Sequence, residues 1–91
     1  MVTTIGMLDS GVGGLTILRA IREQLPGQPV VYLADQAHVP YGVRKIEEVR
    51  SFTKEITRFL IDQGARIIVV ACNTASVAAL GYLRNEFPET P

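Results

Sequence analysis

Apolar and polar positions along this chain follow two different periods, and the switches between them mark six elements. Thr4-Ile5-Gly6-Met7-Leu8 is a short apolar run ending at Asp9-Ser10, and it reads as a first strand. Gly11-Val12-Gly13-Gly14 breaks that run. Leu15, Leu18, Ile21 and Leu25 then recur near the helical period until Pro26-Gly27 stops the helix. Val30 to Ala34 is a second apolar strand, closed by Asp35 and the loop Gln36-Ala37-His38-Val39-Pro40-Tyr41-Gly42. From Arg44 a longer helix carries Ile46, Val49, Phe52, Ile56, Phe59 and Leu60 on one face, with Gly64 placed to end it. Ile67 to Ala71 is the third strand, and a last helix runs from about Ala75 to Glu86, before Phe87-Pro88.

This βαβαβα order predicts an α/β fold, an open parallel sheet with right-handed crossovers and helices on both faces. All three strands are near-continuous apolar runs, as expected where both faces are covered. Ile67 to Ala71 reads as an interior strand, yet no later segment supplies a neighbour for it. The chain stops at Pro88-Glu89-Thr90-Pro91, where a fourth strand would begin. An uncovered apolar edge is a liability. The expectation is therefore a single incomplete domain, continued in a larger protein or covered by a partner at that edge.

Composition narrows the class. Ninety-one residues, 47% of them hydrophobic, suit a globular core of one domain. Nine basic residues balance nine acidic ones, so the footprint of a nucleic-acid binder is missing. No apolar run approaches a membrane span, and Met1-Val2-Thr3-Thr4 lacks the basic and apolar regions of a secretory leader. The one cysteine cannot form an internal disulfide and does not suggest an oxidising compartment. The chain reads as cytoplasmic, with no membrane or nucleic-acid partner. No histidine, cysteine or acidic pair shows metal-ligand spacing, so no metal site is expected.

In an open parallel sheet, ligands bind outside the carboxyl ends of the strands. Asp9-Ser10-Gly11, Pro40-Tyr41-Gly42 and Cys72-Asn73-Thr74 all fall on that edge, and their convergence argues for a site more strongly than any one of them. The glycine loop ahead of a helix suits an anion. A dinucleotide fingerprint is tempting, with Asp35 standing where a ribose-binding acid would. But Thr16 replaces its third glycine, and Asp9 would set a carboxylate against the pyrophosphate. There is no phosphate-cradling P-loop, and a smaller anion such as an amino-acid carboxylate fits better. A tight turn whose glycines serve packing alone is the competing reading.

Asp9 and Ser10 read either as ordinary helix caps or as groups handling an ammonium, a proton and a carboxylate. Tyr41 with Gly42 is either a proline-initiated turn or a ligand clamp using a backbone N–H. His38, on a loop, reads as a solvated residue. Cys72 is either a packed, inert thiol or a working one, with Asn73 and Thr74 as candidate caps of the next helix. A thiol beside a helix N-terminus is stabilised as thiolate. Such a thiolate serves a hydrolase as nucleophile, with His38 as the available base, or serves proton transfer from an acidic carbon, where no triad is needed.

LDSGVGGLTILRAI, the spacing from Asp35 to Pro40-Tyr41-Gly42, and ACNTAS together resemble the N-terminal region of the glutamate racemases, in the aspartate/glutamate racemase superfamily. The likeness covers essentially the whole chain, with three motifs in order. The DSGVGGL form is closer to glutamate racemases than to aspartate or hydantoin racemases, and Cys72 stands where arylmalonate decarboxylases have a glycine. The resemblance implies a cofactor-independent interconversion of L- and D-glutamate, supplying D-glutamate to peptidoglycan, by an enzyme that is a homo-oligomer when full length. It implies two cysteines on opposite faces of the substrate α-carbon, with Cys72 taking the proton from D-glutamate and Asp9 assisting it. Asp9 and Ser10, Tyr41 and Gly42, and Asn73 and Thr74 match the substrate-binding pairs of the family. It also implies a second, similar domain carrying the other cysteine in a GCTHYP-like segment. Residues 1–91 contain no such segment, so this chain is expected to be inactive alone. A nucleotide-binding module and a non-catalytic fragment associating through its sheet edge are the competing expectations.

Overall fold

The computed structural model describes residues 3–11 and 13–91. Met1 and Val2, at the start of the leader reading, and Val12, inside the glycine loop, lie outside the described residues. The elements follow the predicted order: β1 (Thr4–Asp9), α1 (Leu15–Gln24), β2 (Val30–Ala34), α2 (Ile46–Asp62), β3 (Ala65–Val70) and α3 (Asn73–Glu86). Two short 3-10 turns, Gln36–His38 and Tyr41–Val43, occupy the loop after β2. Gly64, at φ 97°, ends α2 in a left-handed conformation that a residue without Cβ adopts at little cost.

The sheet is parallel, in the order β2-β1-β3. Asp9 pairs with Ala34, and Leu8 with Val70, so the three carboxyl ends are level. The ladder runs slightly further: Asp35 N–H donates to Asp9 O (2.8 Å) and Ala71 N–H donates to Leu8 O (2.9 Å). Right-handed crossovers from β1 to β2, and from β2 back across to β3, place α1 on one face and α2 on the other. α2 packs on α3 and on the sheet. The core between them is Leu8, Ile56, Leu60 and Ala65, flanked by Val31, Leu33, Ile68 and Val70. Gly6 makes this approach possible: a Cβ there would lie 2.8 Å from the Ala65 Cβ and 3.1 Å from the Leu60 Cβ.

Several expectations are corrected. β3 spans Ala65–Val70 rather than Ile67 to Ala71. It lies beside the central β1, buried from Gly6 to Asp9, with no further strand against it among the described residues, as expected for its uncovered edge. Arg66 and Ile67 are exposed there, and the Ile68 N–H donates to Pro91 O at 2.9 Å. The apolar stripe of α1 forms a helix but buries none of its residues, and Leu15 and Leu25 remain half-exposed. β2 is correspondingly only half-buried along its length, so coverage of both faces is incomplete among the described residues.

On α2 the buried stripe is Val49, Thr53, Ile56, Thr57 and Leu60, while Ile46 and Phe59 are exposed. Residues three and four apart share a helix face, and that geometry selected two threonines over two larger apolar side chains. Thr53 fits because its hydroxyl donates to Val49 O (2.8 Å). No helix among the described residues is long and apolar enough to cross a membrane.

Candidate functional site

Asp9 closes β1 with its side chain turned inward, and it is 4% exposed. Its carboxylate accepts from the Ser10 N–H (2.7 Å), the Gly14 N–H and the Tyr32 hydroxyl (3.2 Å). These bonds tie Ser10 and Gly14 to one carboxylate. A Cβ on Gly14 would lie 2.8 Å from Asp9 Oδ2 and 2.9 Å from the Tyr32 oxygen, so close packing requires glycine at this position. The N-cap of α1 is Gly14, with no side-chain cap, so Asp9 and Ser10 are not caps. The Gly14 amide, expected to face an external anion, is already bound to the carboxylate of Asp9. Burial and then the charge of Asp9 raise the Tyr32 phenol above the ordinary tyrosine value.

Ser10 Oγ lies 3.3 Å from Cys72 Sγ. Cys72 follows β3 with extended backbone and is itself the N-cap of α3, its sulfur accepting from the Ala75 N–H at 3.5 Å. The helix therefore starts earlier than expected. Asn73 and Thr74 are its first turn rather than its caps, and both are exposed. Behind the thiol, Tyr41, Val49 and Ala75 form a buried cluster against which Cys72 packs.

Tyr41 is 2% exposed, and its hydroxyl donates to Asp35 Oδ2 at 2.6 Å. Burial first, then this bond, hold the phenol well above the usual tyrosine range. The side-chain clamp expected of Tyr41 is thus committed internally. His38 Nδ1 lies 2.8 and 2.9 Å from the two oxygens of Asp35, and its ring stacks on Phe52 at 3.8 Å. His38 is therefore held by Asp35, a partner other than Cys72. Asp35 in turn is occupied by two side chains, which removes the acid a dinucleotide ribose would need.

Tyr41, Gly42, Asn73 and Thr74 line one open cleft, with Val77 and Ala78 on its α3 side. A Cβ built on Gly42 would meet no atom within 4 Å, so the space beside it is free. The three strand-end clusters do converge, with different roles. Ser10 meets Cys72, four residues share the cleft, and Asp9 holds the loop that carries Ser10. The sequence assigned no role to Tyr32, and to Asp35 only that of a candidate ribose-binding acid. What brings Tyr32 to Asp9 is its place on the strand beside β1, opposite Met7, which appears only once the register is known.

No protein-family profile matches the chain. Individual proteins do. A glutamate racemase from Roseiflexus sp. (strain RS-1) is 53% identical over 87 residues, covering 96% of this chain and 32% of that protein. The structure of glutamate racemase from Aquifex pyrophilus superposes with a TM-score of 0.91 at 49% identity, over 97% of this chain and 35% of the other. This chain is similar to glutamate racemases. The Escherichia coli racemase, in complex with L-glutamate and activator UDP-MurNAc-ala, superposes with a TM-score of 0.89 at 34% identity, over 96% of this chain and 33% of its own. The chain spans about a third of the length of the curated racemases it matches. The parallel three-stranded sheet and its helices are shared with these racemases, and the Ser10–Cys72 pair lies within the matched length.

Proposed function

We propose that residues 1–91 supply one wall of a cofactor-independent glutamate racemase, as the N-terminal part of its first domain. Cys72 is the base towards D-glutamate. The observation that carries the reading is the Ser10 hydroxyl on the Cys72 sulfur, beside the cleft of Tyr41, Gly42, Asn73 and Thr74. The thiolate removes the α-proton, the electron pair left behind delocalises into the α-carboxylate, and a second thiol returns a proton to the opposite face. Only the configuration at Cα changes. Asn73 and Thr74 donate to the substrate carboxylates, and Gly42 presents backbone N–H where a side chain would block approach. Ser10, whose hydroxyl hydrogen is on the sulfur, offers its oxygen to the substrate ammonium. Tyr41 holds that backbone through Asp35, and Asp9 assists by fixing the loop that bears Ser10.

The sequence contains one cysteine, so the second proton-handling group comes from outside these residues. A second domain provides it, and the assembled enzyme is a cytoplasmic homo-oligomer supplying D-glutamate for peptidoglycan. Residues 1–91 joined to the remaining length of the Aquifex pyrophilus racemase should exchange the α-proton of D-glutamate with D2O, read by NMR. The unjoined chain should not racemise glutamate. Cys72→Ser in the joined protein should abolish turnover, and full exchange by that folded variant would overturn the assignment.

A further inference from the structure

We propose that Tyr32, a residue outside the substrate cleft, is a positioning residue for the Cys72 thiol, acting through Asp9 and Ser10. The proposal rests on the reading of Cys72 as a proton-transfer base, and it adds to that reading a group from the neighbouring strand. The connection is continuous. The Tyr32 hydroxyl donates to Asp9 Oδ2 at 3.2 Å, and the other oxygen of Asp9 accepts from the Ser10 N–H at 2.7 Å. Ser10 Oγ then meets Cys72 Sγ at 3.3 Å.

Asp9 is buried and cannot rely on water to hold its orientation. Two of its donors, Ser10 and Gly14, belong to the loop it orders, so neither fixes the carboxylate to the sheet independently. Tyr32 does. It sits on β2, opposite Met7 in the register, and approaches Asp9 from a strand that the loop does not move. Its oxygen would also lie 2.9 Å from a Cβ on Gly14, so the phenol closes the loop sterically as well as by hydrogen bonding.

At the far end the chemistry is directional. A thiolate has no proton to give, so the Ser10 hydroxyl must be the donor once Cys72 ionises, and a hydrogen bond to the charged form is the stronger one. Tyr32 thereby holds in place the donor that meets the thiolate, a sulfur that it does not touch.

The experiment uses the 91-residue chain, in which Cys72 is the only thiol, so alkylation by iodoacetamide reports on it alone. Tyr32→Phe removes the hydroxyl and keeps the ring. Alkylation of the variant at pH 7.5 should slow roughly threefold to tenfold, the worth of one hydrogen bond. Ser10→Ala should slow it by a similar factor, and the double variant should be no slower than the slower single one, because both changes break one chain of contacts. Thermal unfolding of each variant establishes that it is folded. A folded Tyr32→Phe variant alkylating at the wild-type rate would overturn the proposal, as would effects that multiply in the double variant.

If Tyr32→Phe does not fold, amide exchange in the unsubstituted chain decides. The Ser10 and Gly14 amides should exchange at least about tenfold more slowly than unstructured amides, as donors held by a fixed carboxylate. Exchange at the unstructured rate would overturn it. Neither readout requires glutamate turnover, so failure here is distinguishable from failure of the racemase reading.

Discussion

The Tyr41 hydroxyl donates to Asp35 Oδ2 across 2.6 Å, joining the loop after β2 to the end of the strand that precedes it. His38 occupies both oxygens of the same carboxylate, and its ring stacks on Phe52. One buried acid thus sets the path of a loop that borders the cleft, and Gly42 takes its place from that path.

This bond makes alkaline stability testable. The folded phenol holds its proton above the ordinary tyrosine value of about 10, where the unfolded chain has lost it. Its contribution is fully present below that value and is lost as pH rises towards the folded-state value. Tyr41→Phe should cost about 1–3 kcal/mol at pH 8, because Asp35 loses a buried donor. Above pH 10 the variant should lose stability less steeply than the wild type. Urea unfolding at several pH values checks both statements, and parallel curves would contradict the second.

Gly14→Ala should destabilise the chain by about 1–3 kcal/mol, because the site is closely packed and glycine is also a better N-cap than alanine. Its Cβ would meet Asp9 and Tyr32 below 3.0 Å and Ala71 at 3.1 Å. Thermal melts read the loss, and a stabilised variant would mean that the loop relaxes freely.

Thr57 is 2% exposed, and its hydroxyl has no hydrogen-bond partner among the described residues. Replacing an unsatisfied buried hydroxyl with a methyl of similar shape removes a desolvation cost. Thr57→Val should be neutral or stabilising by up to about 1 kcal/mol. Thr53→Val should destabilise, since that hydroxyl is bonded to Val49 O. Equal effects in chemical denaturation would argue against the distinction.

Lys54 Nζ lies 2.5 Å from Glu86 Oε1, linking α2 to α3. Hydrogen bonding to Lys54, followed by its charge, lowers the Glu86 pKa, so this contribution is present above the ordinary glutamate value and is lost as pH falls through the folded one. Glu86→Gln should therefore lower the unfolding midpoint slightly at pH 7, with the gap closing in acid. High salt should shrink the gap too, because the pair is at the surface. A gap indifferent to pH and salt would assign it to packing instead.

The order of elements was legible because Leu8, Val31 and Ile68 sit in apolar runs of strand length, and Gly64 carries its own stop signal. The α2 core was only half legible. Hydropathy favours Ile46 and Phe59 over Thr53 and Thr57, whereas burial follows angular position on the helix, and only the Thr53 hydroxyl bonds its own backbone there. In the site, Asp9, Ser10 and Cys72 were visible as residue types at strand ends. That Ser10 reaches the sulfur while Asp9 turns inward was not visible, because it depends on register and on donors 5 and 23 residues further along the chain. The apolar stripe of α1 was legible as helical but its exposure was not, since periodicity reports a face without reporting what lies against it.

Gly6 constrains how this chain can change over evolutionary time. A methyl there would collide with the Ala65 Cβ at 2.8 Å and press on the Ile68 Cδ1 at 3.0 Å and the Leu60 Cβ at 3.1 Å, on two different elements. Position 6 therefore cannot drift through single tolerated steps. A larger residue becomes accessible only after Ala65 has shrunk to glycine or α2 has lifted from the sheet, so the history of position 6 should be tied to that of position 65.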